Sequence, residues 1–148
     1  MKEFSMKDIF PVVEEGINSG GKYRFYPKGK SMLPLIREGV DSVELCLPES
    51  IGKYDMILYL RDNGSYVLHR VVGIRDGVYD LCGDNQCVIE KGIRPDQIKA
   101  VVTALYHGDE YITLDNKDYI RYAKRRVASI GRRRFAAIVK SYIDKIKG

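Results

Sequence analysis

Apolar residues recur along this chain with two different periods, and the change of period divides it into three stretches. Between residues 22 and 114 the apolar runs are short and tend to alternate with polar positions, which predicts strands at Tyr23 to Tyr26, Ser42 to Leu47, Asp55 to Arg61, Tyr66 to Ile74, Val78 to Cys82, Lys99 to Tyr106 and Glu110 to Leu114. Asn63-Gly64 and Asp76-Gly77 are strong two-residue hairpin signals, and Gly108-Asp109 is a weaker one. Before this stretch, Ser5 through Asn18 reads as a helix, with Ser5 and Asp8 in capping-box spacing and Gly20-Gly21 ending it; Pro11 either opens that helix a turn later or kinks it. After it, Asp115-Asn116 offers a cap for a helix through about Ala128, and a second helix follows Gly131. The expected fold is mainly β (α+β): a single domain over 1–148 with a β core at 22–114 and a helical extension at 115–148.

Composition adds bounds. At 148 residues, 45% hydrophobic and 30% charged, the chain is long enough to bury its own core. The start has acids and no apolar stretch of a signal peptide, and no apolar run approaches membrane-spanning length, so a cytoplasmic location is expected. Cys46, Cys82 and Cys87 are odd in number, and the Cys82–Cys87 gap is not a zinc-knuckle spacing. Reduced thiols are expected, with no metal and no organic cofactor.

The net charge of +5 is unevenly distributed. From Arg121 onward there are ten Lys or Arg and one acid, Asp144, so the preceding 120 residues are net acidic. In this tail Phe135, Ile138, Val139, Tyr142, Ile143 and Ile146 share one helical face. Docking of that face on the β body is the first expectation; peripheral contact with an anionic membrane is the second. Nucleic-acid binding ranks last, because no aromatic interleaving or groove-binding motif accompanies the charge.

Three groups have the makings of a catalytic set: Ser31 as nucleophile, His69 as base and Asp84 as the acid that orients the base. If Asp76-Gly77 are the central residues of a tight hairpin, Arg75 faces Val78, and continuing the register sets His69 opposite Asp84, with Cβ atoms roughly 4.5 to 5.5 Å apart. A bulge would shift that pairing, and Gly83 is a candidate for one. Taken singly, Ser31 is equally a loop hydroxyl, His69 a satisfied histidine of a half-buried strand and Asp84 a turn residue.

Gly29-Lys30-Ser31-Met32-Leu33-Pro34 followed by Gly39-Val40-Asp41-Ser42-Val43 resembles the nucleophile box of the serine peptidase superfamily that includes type I signal peptidases and LexA-like self-cleaving repressors. Lys53-Tyr54-Asp55-Met56-Ile57-Leu58-Tyr59 resembles the strand that often begins Gly-Asp in that superfamily. Tyr66 to Ile74 resembles the strand carrying the base, and Gly83-Asp84-Asn85 its Gly-Asp-Asn box. Histidine at position 69, where most bacterial members carry lysine, is similar to the endoplasmic-reticulum and archaeal variant. The resemblance implies coiled antiparallel sheets and a serine endopeptidase acting on a peptide or protein, such as a leader segment. It implies Ser31 as nucleophile, His69 as base, Asp84 as acid with Glu90 as a second candidate, and the Ser31 backbone N–H as an oxyanion donor. Gly29 stands where some relatives carry a small hydroxyl, so a second donor is unassigned. A non-catalytic peptide-binding module is the alternative from another class. A self-cleaving regulator is a further one, although too few residues precede Ser31 for a helix-turn-helix domain.

Overall fold

A computed structural model describes residues 6–147 of the chain, so Ser5 and its expected capping role lie outside the described residues. The fold is a mixed one: an N-terminal helix, a large open antiparallel sheet and C-terminal helices. Helix α1 (Met6–Asn18) carries Pro11 inside it rather than starting after it. Phe10, Val13 and Ile17 fall on one face and are buried. The helix stops at Gly20, whose φ of 88° is a left-handed conformation that glycine adopts without strain, and the Gly20 and Gly21 N–H groups close onto Ile17 and Gly16 carbonyls.

The strands are β1 (Tyr23–Phe25), β2 (Ser42–Cys46), β3 (Met56–Leu60), β4 (Tyr66–Arg75), β5 (Val78–Cys82), β6 (Glu90–Ile93), β7 (Ile98–His107) and β8 (Glu110–Thr113). Their order is β1-β2-β7-β3-β4-β5-β6, with β8 on β7, and each pairing is antiparallel. Only β6 was not foreseen: Glu-Lys-Gly-Ile has neither alternation nor β-branched enrichment, and it becomes a strand because β5 offers it an edge.

Strand alternation sends buried side chains to both faces. Met56, Leu58 and Leu68 meet α1 and the serine loop residues Met32 and Ile36 on one face. Ile57, Tyr59, Val71 and Leu81 gather with Ile93 and Ile98 on the other. Strand β4 is shared unevenly: Tyr66 to Arg70 pair with β3, whereas pairing with β5 covers only Arg70 to Arg75. The edge of Tyr66 to His69 that faces away from β3 is therefore open, and it borders a cavity.

Asn116 caps α2 (Lys117–Ala128) by accepting from the N–H groups of Asp118 and Tyr119, as the sequence suggested. Helix α3 (Ile130–Lys147) departs from expectation. Its apolar face does not dock: Phe135, Tyr142 and Ile146 are 69%, 68% and 71% exposed, and Ile130 in the first turn is its one buried residue. The helix is anchored by that first turn and then leaves the body, because Arg133 rather than the apolar stripe faces the protein. Removing residues 135–148 is accordingly expected to change the unfolding free energy of the remaining chain by less than about 0.5 kcal/mol, measured by urea denaturation; a loss of several kcal/mol would require a docked stripe.

Candidate active site

The register of the β4–β5 hairpin decides which acid meets His69. Arg75↔Val78, Ile74↔Tyr79 and Gly73↔Asp80 pair as a two-residue Asp76-Gly77 turn demands, but the next pair is Val71↔Leu81, then Arg70↔Cys82. Val72 is an extra residue in β4, so the bulge lies there and not at Gly83. One residue of slip is enough to separate His69 from Asp84 as directly opposed residues. His69 instead abuts Gly83: a Cβ on Gly83 would lie 3.1 Å from His69 Nε2 and 2.6 Å from the Ser31 carbonyl oxygen. Glycine is thus required there by close approach, and β4, the Gly83-Asp84-Asn85 segment and the serine loop converge on that one point.

Asp84 belongs to the neighbouring residue, Arg70. The Arg70 Nε and Nη2 donate to Asp84 Oδ1 and Oδ2 at 2.7 and 2.9 Å, and both side chains are 1% exposed. The remaining nitrogen, Nη1, donates to the Tyr54 carbonyl at 2.7 Å and to Tyr119 Oη at 3.0 Å, while Tyr122 Oη donates to Asp84 Oδ2 at 2.8 Å. Burial opposes the charge on Arg70, but the Asp84 hydrogen bonds outweigh it and hold the guanidinium protonated. Main-chain groups of the same loop are also claimed. Asn85 N–H and Nδ2 donate to the Ser31 and Lys30 carbonyls, and Arg126 and Arg133 donate to the Asp84 carbonyl. Part of the basic tail is therefore a clamp on the loop beside Ser31, a role invisible in the charge pattern. The sequence did carry one signal: Arg70 shares a buried strand face with Leu68, and a cation there needs an acid.

On the opposite face of β4, His69 Nδ1 is 3.2 Å from Tyr59 Oη, and Tyr59 Oη is 2.7 Å from Glu90 Oε1. Arg61 also donates to Glu90 Oε1, from Nε at 3.1 Å and Nη2 at 2.9 Å. Burial acts to raise the Glu90 pKa, yet the Tyr59 and Arg61 hydrogen bonds hold it below the ordinary value, so Glu90 is a carboxylate. A carboxylate only accepts. The single Tyr59 hydroxyl proton is then directed at Glu90, which leaves the phenol oxygen to accept from His69 Nδ1–H, and Nε2 carries no proton. Burial, helped by the Arg61 charge, pushes the His69 pKa down to about 4 against the pull of Glu90 and Asp84. Of the two acids weighed from sequence, Glu90 is the one linked to the imidazole, through a tyrosine that sequence reasoning did not single out. No local pattern could have found Tyr59, because the link needs β6 paired to β5.

Ser31 is half-buried in a turn between Gly29 and Leu35. It lines a cavity of about 380 Å³ together with His69, Met32, Gln86, Tyr26 and the open-edge residues Val67 and Leu68. Gly29 has a φ of 86°, which explains glycine where a hydroxyl residue would be strained. Tyr54, at the place of a glycine in the resembling motif, adopts a φ of 83° all the same. Its carbonyl is fixed by Arg70 and its N–H by the Val71 carbonyl.

No family model, curated protein or solved structure matches the chain. Among the described residues no His, Cys, Asp and Glu cluster suited to a metal ion occurs.

Two expectations follow. Asp84→Ala strands a buried guanidinium and should cost about 3 to 5 kcal/mol in urea unfolding. Ring ¹⁵N spectra of His69 at neutral pH should show the Nδ1–H tautomer, and Tyr59→Phe should shift the balance toward Nε2–H; an Nε2–H tautomer in the unsubstituted protein would contradict the assigned hydrogen-bond directions.

Proposed function

We propose that this chain is a serine endopeptidase of the signal peptidase and LexA-like type, in its Ser-His form, and that it cleaves a peptide or protein such as a leader segment. The observation that carries the reading is the direction of the Glu90–Tyr59–His69 hydrogen bonds, which presents an unprotonated Nε2 beside the serine loop and its cavity. The order of the Ser-Met-x-Pro, His-bearing and Gly-Asp-Asn segments supports it independently.

In this mechanism an extended substrate adds to the open edge of β4, using main-chain hydrogen bonds for register. His69 Nε2 takes the Ser31 Oγ proton as Oγ attacks the scissile carbonyl, and the Ser31 backbone N–H stabilises the oxyanion. The imidazolium formed is held by Tyr59, with the Glu90 charge behind it. It then gives its proton to the departing amine. Water, activated by the same nitrogen, releases the acyl group and regenerates Ser31. Asp84 supports the site through Arg70 and touches no reacting atom, so its contribution is positional.

A buried histidine with a lowered pKa makes a specific pH profile. Below about pH 4 His69 is protonated and cannot accept a proton; above it the base is in its working form. Phosphonylation of Ser31 by a fluorophosphonate, in which Oγ displaces fluoride from phosphorus, followed by intact mass, should rise as pH passes about 4 and stay flat from pH 6 to 8, vanish in Ser31→Ala and fall about 10²- to 10⁴-fold in His69→Ala. Labelling retained in His69→Ala would remove His69 as the base, whereas a profile centred near 6.5 would keep an imidazole base and show that burial does not lower its pKa. Absence of labelling in a protein that still binds peptide would favour the non-catalytic module.

A further inference from the structure

The cavity at Ser31 is the first of three hollows in series. His69 and Gln86 also line a second, about 580 Å³ in volume, floored by Glu90 and Arg61 and bounded by Cys87 and Val88. Cys87 and Val88 line a third, of about 380 Å³, whose other wall is α3, contributing Ile138, Tyr142, Arg134 and Lys145. The β5–β6 loop exposes Val88 at 73%, facing a helix whose apolar stripe is unpartnered. A chain leaving the reacting centre thus has a continuous path over Cys87 and Val88 onto α3.

From this continuity we infer that α3 is a docking face for a segment of the substrate remote from the scissile bond, and that this segment is an amphipathic helix with apolar residues on one side and Asp or Glu along its margins. The identity of the occupant as substrate rests on the peptidase reading. Charge selects its character: the exposed flanks of α3 present Arg132, Arg134, Lys140, Lys145 and Lys147 against a single acid, Asp144. Pairing of two α3 helices from two copies would set these cations against their own kind. Cys87 and Val88 of the body stand beside Ile138 and Tyr142 and give the hollow a wall along which a polypeptide can run. Binding of such a segment would raise the effective concentration of the scissile bond at Ser31 and would relax the demands on residues next to it.

Fluorescence anisotropy with the Ser31→Ala protein tests this. The probes are two labelled 18-residue synthetic peptides, both with leucine at helical i, i+3, i+4 and i+7 spacing, one carrying glutamate and the other lysine at the flanking positions. The glutamate peptide is expected to bind at least about tenfold more tightly than the lysine peptide, and Ile138→Glu with Tyr142→Glu to weaken it about tenfold. Arg134→Glu with Lys145→Glu should reverse the preference, an outcome that loss of folding cannot mimic. Equal binding of the two peptides, or indifference to these substitutions, would overturn the inference. So would sedimentation of the full chain with phosphatidylglycerol-containing vesicles that the same substitutions abolish, since the occupant would then be a bilayer. Glutamate-peptide binding without Ser31 phosphonylation in the unsubstituted protein removes the peptidase reading and keeps the docking face; phosphonylation without peptide binding does the reverse.

Discussion

The buried ion pair between Arg70 and Asp84 organises the rest of this site. An isolated guanidinium on a covered strand face would cost several kcal/mol, so the surroundings of Arg70 must deliver a carboxylate and further acceptors. They come from three directions: Asp84 after β5, the Tyr54 carbonyl before β3, and Tyr119 from α2, whose Tyr122 in turn donates to Asp84. Replacing such a pair with apolar side chains often leaves stability unchanged. Its consequence is uniqueness of arrangement, because few geometries satisfy four guanidinium hydrogen bonds at once.

His69 inherits that arrangement by covalent adjacency. Successive residues of a strand point to opposite faces, so fixing Arg70 on the α1 side fixes His69 on the side of Tyr59 and Glu90. One strand thereby places a buried ion-pair partner and the histidine of the candidate site in consecutive positions. The same loop that supplies Asp84 supplies Gly83, against which the imidazole and the serine loop both rest. Strain at Tyr54 is tolerated in this setting, since hydrogen bonds on both sides of the residue determine its conformation.

The C-terminal helices show how one charge pattern can hide different roles. Arg126 and Arg133 point inward to main-chain carbonyls of the Gly83–Gln86 turn, whereas Arg134 and Lys145 border an open groove. Periodicity finds the helix and its amphipathic face; it does not say which face the body takes. Here the body takes the first turn and one arginine, and the apolar stripe remains outside.

Local chemistry determined most of the elements of this chain. Alternating runs, the Asp76-Gly77 turn and an Asn cap specify seven strands and the C-terminal helices from interactions a few residues long, which is why they could be read directly; the Asn63-Gly64 turn holds three residues, Asp62 to Gly64, and not the expected two. Ser31, His69, Asp84 and Glu90 were likewise legible as residues of interest. Their partnerships were not. A single bulge at Val72, set by how β4 sits between β3 and β5, moved His69 off Asp84, and the pairing of β6 to β5 brought Glu90 to Tyr59. Register and edge pairing depend on contacts far apart in the chain, so only the tertiary structure could decide that the histidine is oriented by a tyrosine and a glutamate while the aspartate holds an arginine.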